Sequence, residues 1–308
     1  MSIPRIIILK LHSVSSSALL RGALFNALRL AVKPLFAPYI SPKLRRKGLE
    51  LASLSTLNAR GLKPEQVKLQ GVPSLRYGPA KNGTAVLYLH GGAYTAGSPK
   101  THASLTSHLA QTSGATVFVP DYRLAPEHPF PAALEDACFC YQALLEQGFD
   151  PTHITVAGDS AGGGLTLSLL LHLKAEQIPL PKGMILLSPW ADLTHPNAQA
   201  PNQPQDAMLT WQGLNAAAKG YAGNEPLTQT GISPALGDAT GLPPALIIVG
   251  TEEILLADVK SLTSTLKQQG VATELAIYEK MWHVFPLHAR ILKEADHAIN
   301  TMASFILN

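Results

Sequence analysis

Gly158-Asp159-Ser160-Ala161-Gly162 lies between the apolar run 154–157 and a helix-forming stretch that begins at Gly163. A strand, a Gly-x-Ser-x-Gly turn and a helix in immediate succession present a serine hydroxyl at the top of a sheet. The flanking glycines let neighbouring chain pass close to the turn. Backbone N–H groups near Ala161, where the helix begins, point at any negative charge that forms there. The segment therefore predicts an α/β protein with Ser160 as its nucleophile.

A second informative segment, Tyr88-Leu89-His90-Gly91-Gly92-Ala93-Tyr94, closes the apolar strand 85–89. Two glycines at a strand end are by themselves consistent with an ordinary turn. Upstream of a serine turn, they match the loop that completes the oxyanion hole in lipases and esterases. Oxyanion donors must approach to about 3 Å, which backbone without side chains allows. Gly91, Gly92 and Ala161 are the expected donors.

A histidine and a pair of acids complete the arrangement near the end of the chain. His283 follows the strand-like run 274–278, and the buried-strand pattern 245–249 ends in Gly250-Thr251-Glu252-Glu253. The chain order serine, acid, histidine is that of the hydrolase fold. In such a triad the acid orients the imidazole, and the imidazole removes the serine proton. We therefore expect His283 to be the base.

Taken together, these segments resemble the bacterial hormone-sensitive-lipase-like esterases, a branch of the α/β-hydrolases with HGG and GDSAGG motifs. The resemblance runs from about Leu75 to the C-terminus and extends more loosely into the N-terminal helices. Further matching segments are Asp121-Tyr122-Arg123-Leu124-Ala125-Pro126-Glu127, Phe130-Pro131-Ala132-Ala133 and Leu187-Ser188-Pro189-Trp190-Ala191-Asp192. Many relatives carry Asp-Pro-Leu where this chain has Glu253-Ile254-Leu255. The resemblance thus implies Glu253 as the triad acid, with Glu252 as the alternative.

The resemblance implies a carboxylic ester hydrolase that acts on short- to medium-chain acyl esters through a serine acyl-enzyme, and it suggests a homodimer. Trp190 and Tyr94 are assigned to the substrate pocket, although an ordinary buried role for Trp190 stays open. Asp159 is expected to border the pocket and to make structural hydrogen bonds within the turn. Two alternatives remain: hydrolysis of amides or thioesters on the same triad, and a ligand-binding receptor on this fold. Plant receptors of this kind have lost the triad histidine, whereas His283 is present.

Composition limits the remaining function classes. The 308 residues, with 46% hydrophobic and 15% charged side chains, predict one large globular domain. The net charge of +3 is too small to indicate a nucleic-acid partner, and the basic run 43–47 is expected to be a solvated helix face. No HExxH or paired-cysteine pattern occurs, and Gly162-Gly163-Gly164 lacks the Lys-Ser/Thr of a phosphate-binding loop. We expect neither a metal nor a cofactor.

The cysteines and the N-terminus bear on location. Cys138 and Cys140 lie two apart in a predicted helix, so their side chains point apart and cannot form a disulfide. This fits a reducing compartment, and we expect a cytoplasmic protein without stable membrane insertion.

The apolar run 6–9 is flanked by Arg5 and Lys10. An amphipathic helix lying on the protein is predicted there rather than a signal peptide, with membrane-surface association as the alternative.

Short apolar strands that alternate with helices predict a mostly parallel sheet of eight strands, covered by helices on both faces. The predicted strands are 67–69, 75–77, 85–89, 116–119, 154–157, 184–187, 246–249 and 274–278. Residues 1–60 are predicted to form a helical cap segment, and residues 61–308 the catalytic domain. A Pro-rich excursion interrupts the alternation and predicts a cap insertion at about 198–225.

Overall fold

The computed structural model describes residues 8–10, 16–78, 83–198 and 204–308. Their strands form one nine-stranded sheet in the order β1-β9-β8-β7-β6-β4-β5-β3-β2. The strands are β1 (Ile8–Lys10), β2 (Glu65–Leu69), β3 (Val72–Tyr77), β4 (Ala85–Leu89), β5 (Thr116–Pro120), β6 (Ile154–Asp159), β7 (Gly183–Leu187), β8 (Ala245–Gly250) and β9 (Thr273–Tyr278). β3 is antiparallel to both β2 and β5, and the other pairs are parallel. All eight predicted strands are present, and the α/β-hydrolase architecture is confirmed.

The ninth strand corrects the interpretation of the N-terminal apolar run as a helix. Ile8–Lys10 pairs in parallel with β9 at the edge of the sheet, with Ile8 opposite Leu275. Ile8 is a β-branched residue, a type that favours extended backbone. The edge of β9 also offers unpaired N–H and C=O groups. The rest of this run, Ile6 and Ile7, lies outside the described residues.

Helices cover both faces of the sheet. They are α1 (Ala18–Ala31), α2 (Pro42–Ser53), α3 (Ala103–Ser113), α4 (Ala132–Glu146), α5 (Ala161–Ala175), α6 (Trp211–Ala222), α7 (Leu256–Gln268) and α8 (Lys293–Leu307). Alternate residues of β4 enter opposite cores: Leu87 belongs to the apolar cluster under α4, α5 and α7, whereas Val86 belongs to the cluster under α3 and α8. The central parallel strands are therefore buried on both sides, as predicted.

The N-terminal segment consists of α1, a 3-10 turn at Lys33–Phe36, and α2. No residue of α1 is fully buried. Its start is held by a clasp to the first turn of α8: the Ser16 backbone N–H and hydroxyl donate to the two carboxylate oxygens of Glu294 at 2.9 and 2.6 Å. Arg21 adds an ion pair to the same carboxylate. The first helix is thus fixed by the last one.

The predicted cap insertion contains α6 and a connecting segment before it, of which residues 199–203 lie outside the described residues. Asp206, buried in this connection, accepts hydrogen bonds from the backbone of Met208, Leu209 and Ile254. These bonds fix Met208 and Leu209 above the sheet. Across the described part of the chain, we find no helix with the length and apolar character needed to span a bilayer.

Candidate active site

Ser160 occupies a sharp turn between the end of β6 and the start of α5. Its φ of 52° and ψ of −121° are unfavourable for a residue with a side chain. The turn is held because the Ser160 N–H donates to the Leu187 carbonyl at 2.9 Å. A side chain at Gly162 would collide with the Leu89 carbonyl, so α5 can pass β4 only with glycine there. The surrounding structure therefore maintains the strained serine.

His283 and Glu253 form a buried pair at the ends of neighbouring strands. His283 Nδ1 lies 2.9 Å from Glu253 Oε2. Because a carboxylate only accepts, Nδ1 carries the proton and Nε2 is free to act as a base. The other oxygen, Oε1, accepts from the Ser188 hydroxyl at 2.8 Å and from the Gly250 N–H at 2.6 Å. Glu253 rather than Glu252 is thus the acid in contact with the imidazole.

Electrostatics favour a basic imidazole. Burial alone would lower the pKa of His283, but the hydrogen bond and the charge of Glu253 outweigh it and raise this pKa above its ordinary value. The charges of Asp206 and Asp159 act in the same direction. Neither Ser188 nor Asp206 was identified from sequence. Ser188 could have been found, because it directly follows β7, the neighbour of the strand β6 that precedes Ser160, and the carboxyl ends of adjacent parallel strands lie at one edge of the sheet.

The loop that follows β4 and contains Gly91 and Gly92, here called the oxyanion loop, differs from the prediction in one hydrogen-bond donor. The Gly91 N–H donates to Asp159 Oδ1 at 3.0 Å, so its assignment as an oxyanion donor is wrong. Within the described chain, the N–H groups of Gly92 and Ala93 have no acceptor, and both residues line the cavity beside Ser160. Ala161 begins α5, where N–H groups have no partner inside the helix. The available donors around Ser160 are therefore Gly92, Ala93 and Ala161.

Asp159 ties the serine turn to this loop through a buried network. Its carboxylate accepts from Tyr88 Oη at 2.9 Å and from His102 Nε2 at 3.2 Å. Burial would raise the pKa of Asp159, but the charge and hydrogen bond of His102 lower it. Burial would likewise lower the pKa of His102, but Asp159 raises it. The two therefore form an ion pair. His102 carries no motif, so the sequence offered no signal for it.

Two arginines of α2 hold the same loop from the cap side. The buried Arg45 donates to Thr95 Oγ1 at 2.8 Å and to the Leu35 carbonyl at 2.8 Å. Arg46 donates through Nε to the Thr95 carbonyl at 2.9 Å. The Thr95 N–H in turn donates to the Gly92 carbonyl at 3.1 Å. The prediction of a solvated face at 43–47 is therefore wrong for these two residues, because their guanidinium groups donate hydrogen bonds to Thr95 and, for Arg45, also to the Leu35 carbonyl.

A cavity of about 340 Å³ lies above Ser160 and His283. Its wall is mostly apolar and comes from α1, α2 and the connection before α6. The lining includes Leu24, Ala27, Leu28, Ala31, Val32, Phe36, Leu49, Leu51, Met208, Leu209 and Leu287. Asp159 also lines this cavity. Together with the free N–H groups, the arrangement can bind an apolar substrate with a carbonyl group beside the serine.

Neither Trp190 nor Tyr94 lines this cavity, so both pocket assignments are corrected. Trp190 is 1% exposed and donates from Nε1 to His195 Nε2 at 2.9 Å. Tyr94 is fully buried and stacks on Tyr221 with ring centroids 3.6 Å apart. Both rings lie beneath the serine turn, where they pack in the core on the α5 side of the sheet.

Comparison with known proteins agrees with this geometry. A sequence profile of the α/β-hydrolase fold matches residues 86–287. The chain is 41% identical over 231 residues to an acetyl-hydrolase of Streptomyces hygroscopicus, covering 74% of this chain and 77% of that protein. It is 37% identical over 249 residues to an esterase of Acinetobacter venetianus, covering 80% and 78%.

A solved structure extends the similarity to nearly the whole chain. The crystal structure of an esterase from the bacterial hormone-sensitive lipase family superposes with a TM-score of 0.89 at 33% identity. The match covers 94% of this chain and 98% of that one. The likeness thus includes the N-terminal helices as well as the sheet.

Proposed function

The chain belongs to the bacterial hormone-sensitive-lipase-like family of α/β-hydrolases, and we propose that it hydrolyses carboxylic esters with Ser160, His283 and Glu253. One observation carries the proposal. The Glu253–His283 pair is buried beside a strained serine, in a cavity whose wall also holds unpaired N–H groups. Relatives that are esterases, an acetyl-hydrolase and an ethyl acetate hydrolase support ester hydrolysis as the reaction.

The first half-reaction forms an acyl-enzyme. His283 Nε2 takes the proton of Ser160 Oγ as that oxygen bonds to the ester carbonyl carbon, and the carbonyl π electrons move onto oxygen. The N–H groups of Gly92, Ala93 and Ala161 stabilise this oxyanion. When the carbonyl reforms, the bond to the alkoxy group breaks, and protonated His283 gives its proton to the leaving alcohol.

The second half-reaction repeats these steps with water. His283 removes a proton from water, the hydroxide attacks the acyl carbon, and Ser160 leaves with the proton that His283 returns. The raised pKa of His283 suits its role as base in both half-reactions, because the imidazole then accepts a proton readily. The imidazolium that forms is stabilised by the charge of Glu253. Products are a carboxylic acid and an alcohol, with the enzyme restored.

Short- to medium-chain acyl esters are the proposed substrates. A cavity of about 340 Å³ is near the small end of ligand sites, and its apolar wall suits a hydrocarbon chain. Amide or thioester hydrolysis is the second candidate, since the same triad serves it. Turnover of p-nitrophenyl, anilide and thioester substrates of equal acyl length separates the two. The ester should exceed the anilide in kcat/KM, and the opposite order would favour the second candidate.

Serine labelling tests the nucleophile. An organophosphonate should modify Ser160 stoichiometrically, because only a serine next to a base reacts readily. Peptide mapping by mass spectrometry identifies the site, and Ser160→Ala should abolish both labelling and turnover while Ser304→Ala, on the exposed side of α8, leaves them unchanged. Modification of another serine in place of Ser160 would contradict the assignment.

We also propose that residues 1–60 and about 198–225 act as a cap that sets acyl-chain preference. Support comes from α1 and Met208, which contribute to the cavity wall. Ala27→Trp should change the kcat/KM ratio of octanoate to acetate esters by about tenfold or more, since it adds bulk to that wall. Ala23→Trp, one turn away and outside the lining, is the control. Equal ratios in both variants would refute the cap role.

A homodimer and a cytoplasmic location complete the proposal. The family resemblance supports the dimer, and the free, buried Cys138 and Cys140 fit a reducing compartment. Burial raises the pKa of Cys138 to about 12, so this thiol is unreactive at neutral pH. Light scattering on the purified protein tests the dimer. Cell fractionation tests the location.

A further inference from the structure

Charge is strongly segregated along the chain. Residues 1–60 contain ten of the 24 lysines and arginines but only one of the 21 aspartates and glutamates, Glu50. That segment thus has a net charge of +9, whereas the remaining residues carry −6. The net charge of the whole chain, +3, is the sum of these two opposite values. The segment that precedes the catalytic domain is a concentrated source of positive potential.

Exposed apolar side chains are concentrated in the same segment. Among the described residues, seven of the ten large hydrophobic side chains that are exposed fall between residues 19 and 57: Leu19, Leu30, Tyr39, Leu44, Leu51, Leu54 and Leu57. Scattered exposed leucines are ordinary on a protein surface, but such a concentration indicates a binding surface.

Helical spacing arranges these residues in rows. On α1, Leu19 and Leu30 are eleven residues apart, which is three turns, so they share one face. On α2, Leu44, Lys47 and Leu51 follow at spacings of three and four, so a lysine lies between two exposed leucines. Leu54 continues this row directly after the helix. We call these residues together with Lys43 the cap face.

The cap face borders the mouth of the active-site cavity. Leu51 is 70% exposed and at the same time lines the cavity. The exposed Ala27 and Ala31 of α1 also contribute to the cavity wall. A molecule that passes between α1 and the end of α2 therefore meets the exposed Leu51 before it reaches Ser160.

We propose that the cap face docks on an anionic lipid surface, with the cavity mouth against the lipid. Exposed leucines enter the boundary between headgroups and acyl chains, and the surrounding lysines and arginines bind lipid phosphates. Charge identifies the occupant: the cap face carries the exposed Lys43 and Lys47 and no carboxylate, so it attracts an anionic bilayer, whereas it repels a second copy of itself. The −6 of the remaining residues orients the protein with its catalytic domain away from the lipid.

Vesicle sedimentation tests the docking without relying on catalysis. The full chain carrying Ser160→Ala, which leaves the lipids intact, is mixed with vesicles of phosphatidylcholine alone or of equal parts phosphatidylcholine and phosphatidylglycerol. Partitioning should be at least tenfold stronger with phosphatidylglycerol, and about 0.5 M NaCl should remove most of this difference by screening. Equal partitioning into both vesicles, or none into either, would overturn the proposal.

Variants locate the surface. Lys43→Gln/Lys47→Gln should reduce partitioning about tenfold or more, because each cation near an anionic surface contributes about 1 kcal/mol. Leu30→Ser/Leu54→Ser should reduce it by a similar factor. The matched controls lie outside the cap: Lys260→Gln/Lys280→Gln and Leu236→Ser/Leu307→Ser, all at exposed positions. Partitioning that falls equally in variants and controls would show general adhesion and refute the assignment.

Two further measurements separate this proposal from others. Hydrolysis of soluble p-nitrophenyl butyrate should be unchanged in the cap-face variants, since none of the substituted residues lines the cavity. Failure of the proposed ester hydrolysis would therefore not affect the docking result. Light scattering should give the same mass for wild type and Leu30→Ser/Leu54→Ser. A wild-type dimer that becomes monomeric in this variant would identify a second copy as the occupant and overturn the lipid proposal.

Discussion

Replacing Glu253 with glutamine separates the charge of the triad acid from its shape. Oε1 accepts from two donors, the Ser188 hydroxyl and the Gly250 N–H. The glutamine NH₂ group cannot occupy that position, because it would face the Gly250 N–H with no acceptor between them. The NH₂ group must take the Oε2 position, 2.9 Å from His283 Nδ1.

This orientation forces the wrong imidazole tautomer. With a donor opposite, Nδ1 must accept, so the proton moves to Nε2, the nitrogen that has to deprotonate Ser160. The expected loss in kcat is about 10⁴-fold, as for a triad acid replaced by its amide. Removing the carboxylate charge also leaves burial as the dominant influence, so the pKa of His283 falls. The acidic limb of the kcat/KM profile should therefore move to lower pH.

Steady-state hydrolysis of p-nitrophenyl butyrate across pH measures both effects. In the wild type, the base must be unprotonated, so kcat/KM should rise with a midpoint above about 6.5, the ordinary histidine value. Glu252→Gln is the matched control, since Glu252 is partly exposed and, among the described side chains, hydrogen-bonds only with Thr251. Its kcat should stay within about twofold. A loss below tenfold for Glu253→Gln, or a larger loss for Glu252→Gln, would refute the reasoning.

Four other substitutions have defined outcomes. Ser160→Ala should lower kcat by several orders of magnitude with an unchanged circular dichroism spectrum, since only the nucleophile is removed. Trp190→Ala should cost about 3–5 kcal/mol of unfolding free energy in denaturant titration, because it empties a buried site, and the octanoate-to-acetate preference should not change. Arg45→Gln should lower kcat about tenfold with little change in KM, since it loosens the oxyanion loop but not the apolar wall; a change confined to melting temperature would assign Arg45 a purely structural role. His102→Gln should destabilise most at intermediate pH, because the ion pair is lost as pH falls through the lowered pKa of Asp159 and as it rises through the raised pKa of His102. Urea titrations at several pH values that give a constant difference would disprove that pairing.

Local patterns predicted the elements that obey them. The parallel strands β4 to β9 were found from short, largely apolar runs, which are typical of strands buried on both faces. β2 and β3, on the antiparallel side of the sheet, were found from short runs in which apolar and polar residues alternate. The positions of Ser160 and His283 followed from strand ends, which converge at one edge of the sheet. The strand Ile8–Lys10 was missed because its partner lies more than 260 residues away, so no local period reports it.

The predicted site was wrong at residues whose role depends on contacts between distant segments of the chain rather than on local sequence. Gly91 and Gly92 are equivalent in sequence, and only the approach of Asp159 to one N–H distinguishes them. Trp190 follows a strand end at the expected place, but its side chain turns to His195 and into the core. Arg45 lies in a run of charges and would be solvated on an isolated helix; the carbonyls of the turn before α2 and Thr95 bury it instead.

The clasp between Ser16 and Glu294 has a consequence for synthesis. Its two halves are 278 residues apart, so the first helix is made long before its partner exists. At about 5–20 residues per second, a growing chain holds that apolar helix without its anchor for roughly 14–56 s. During this interval its leucines are accessible to chaperones or to a membrane near the ribosome. A chain that terminates before α8 never completes the clasp, and a ribosome that stalls late in the message leaves the helix exposed for longer.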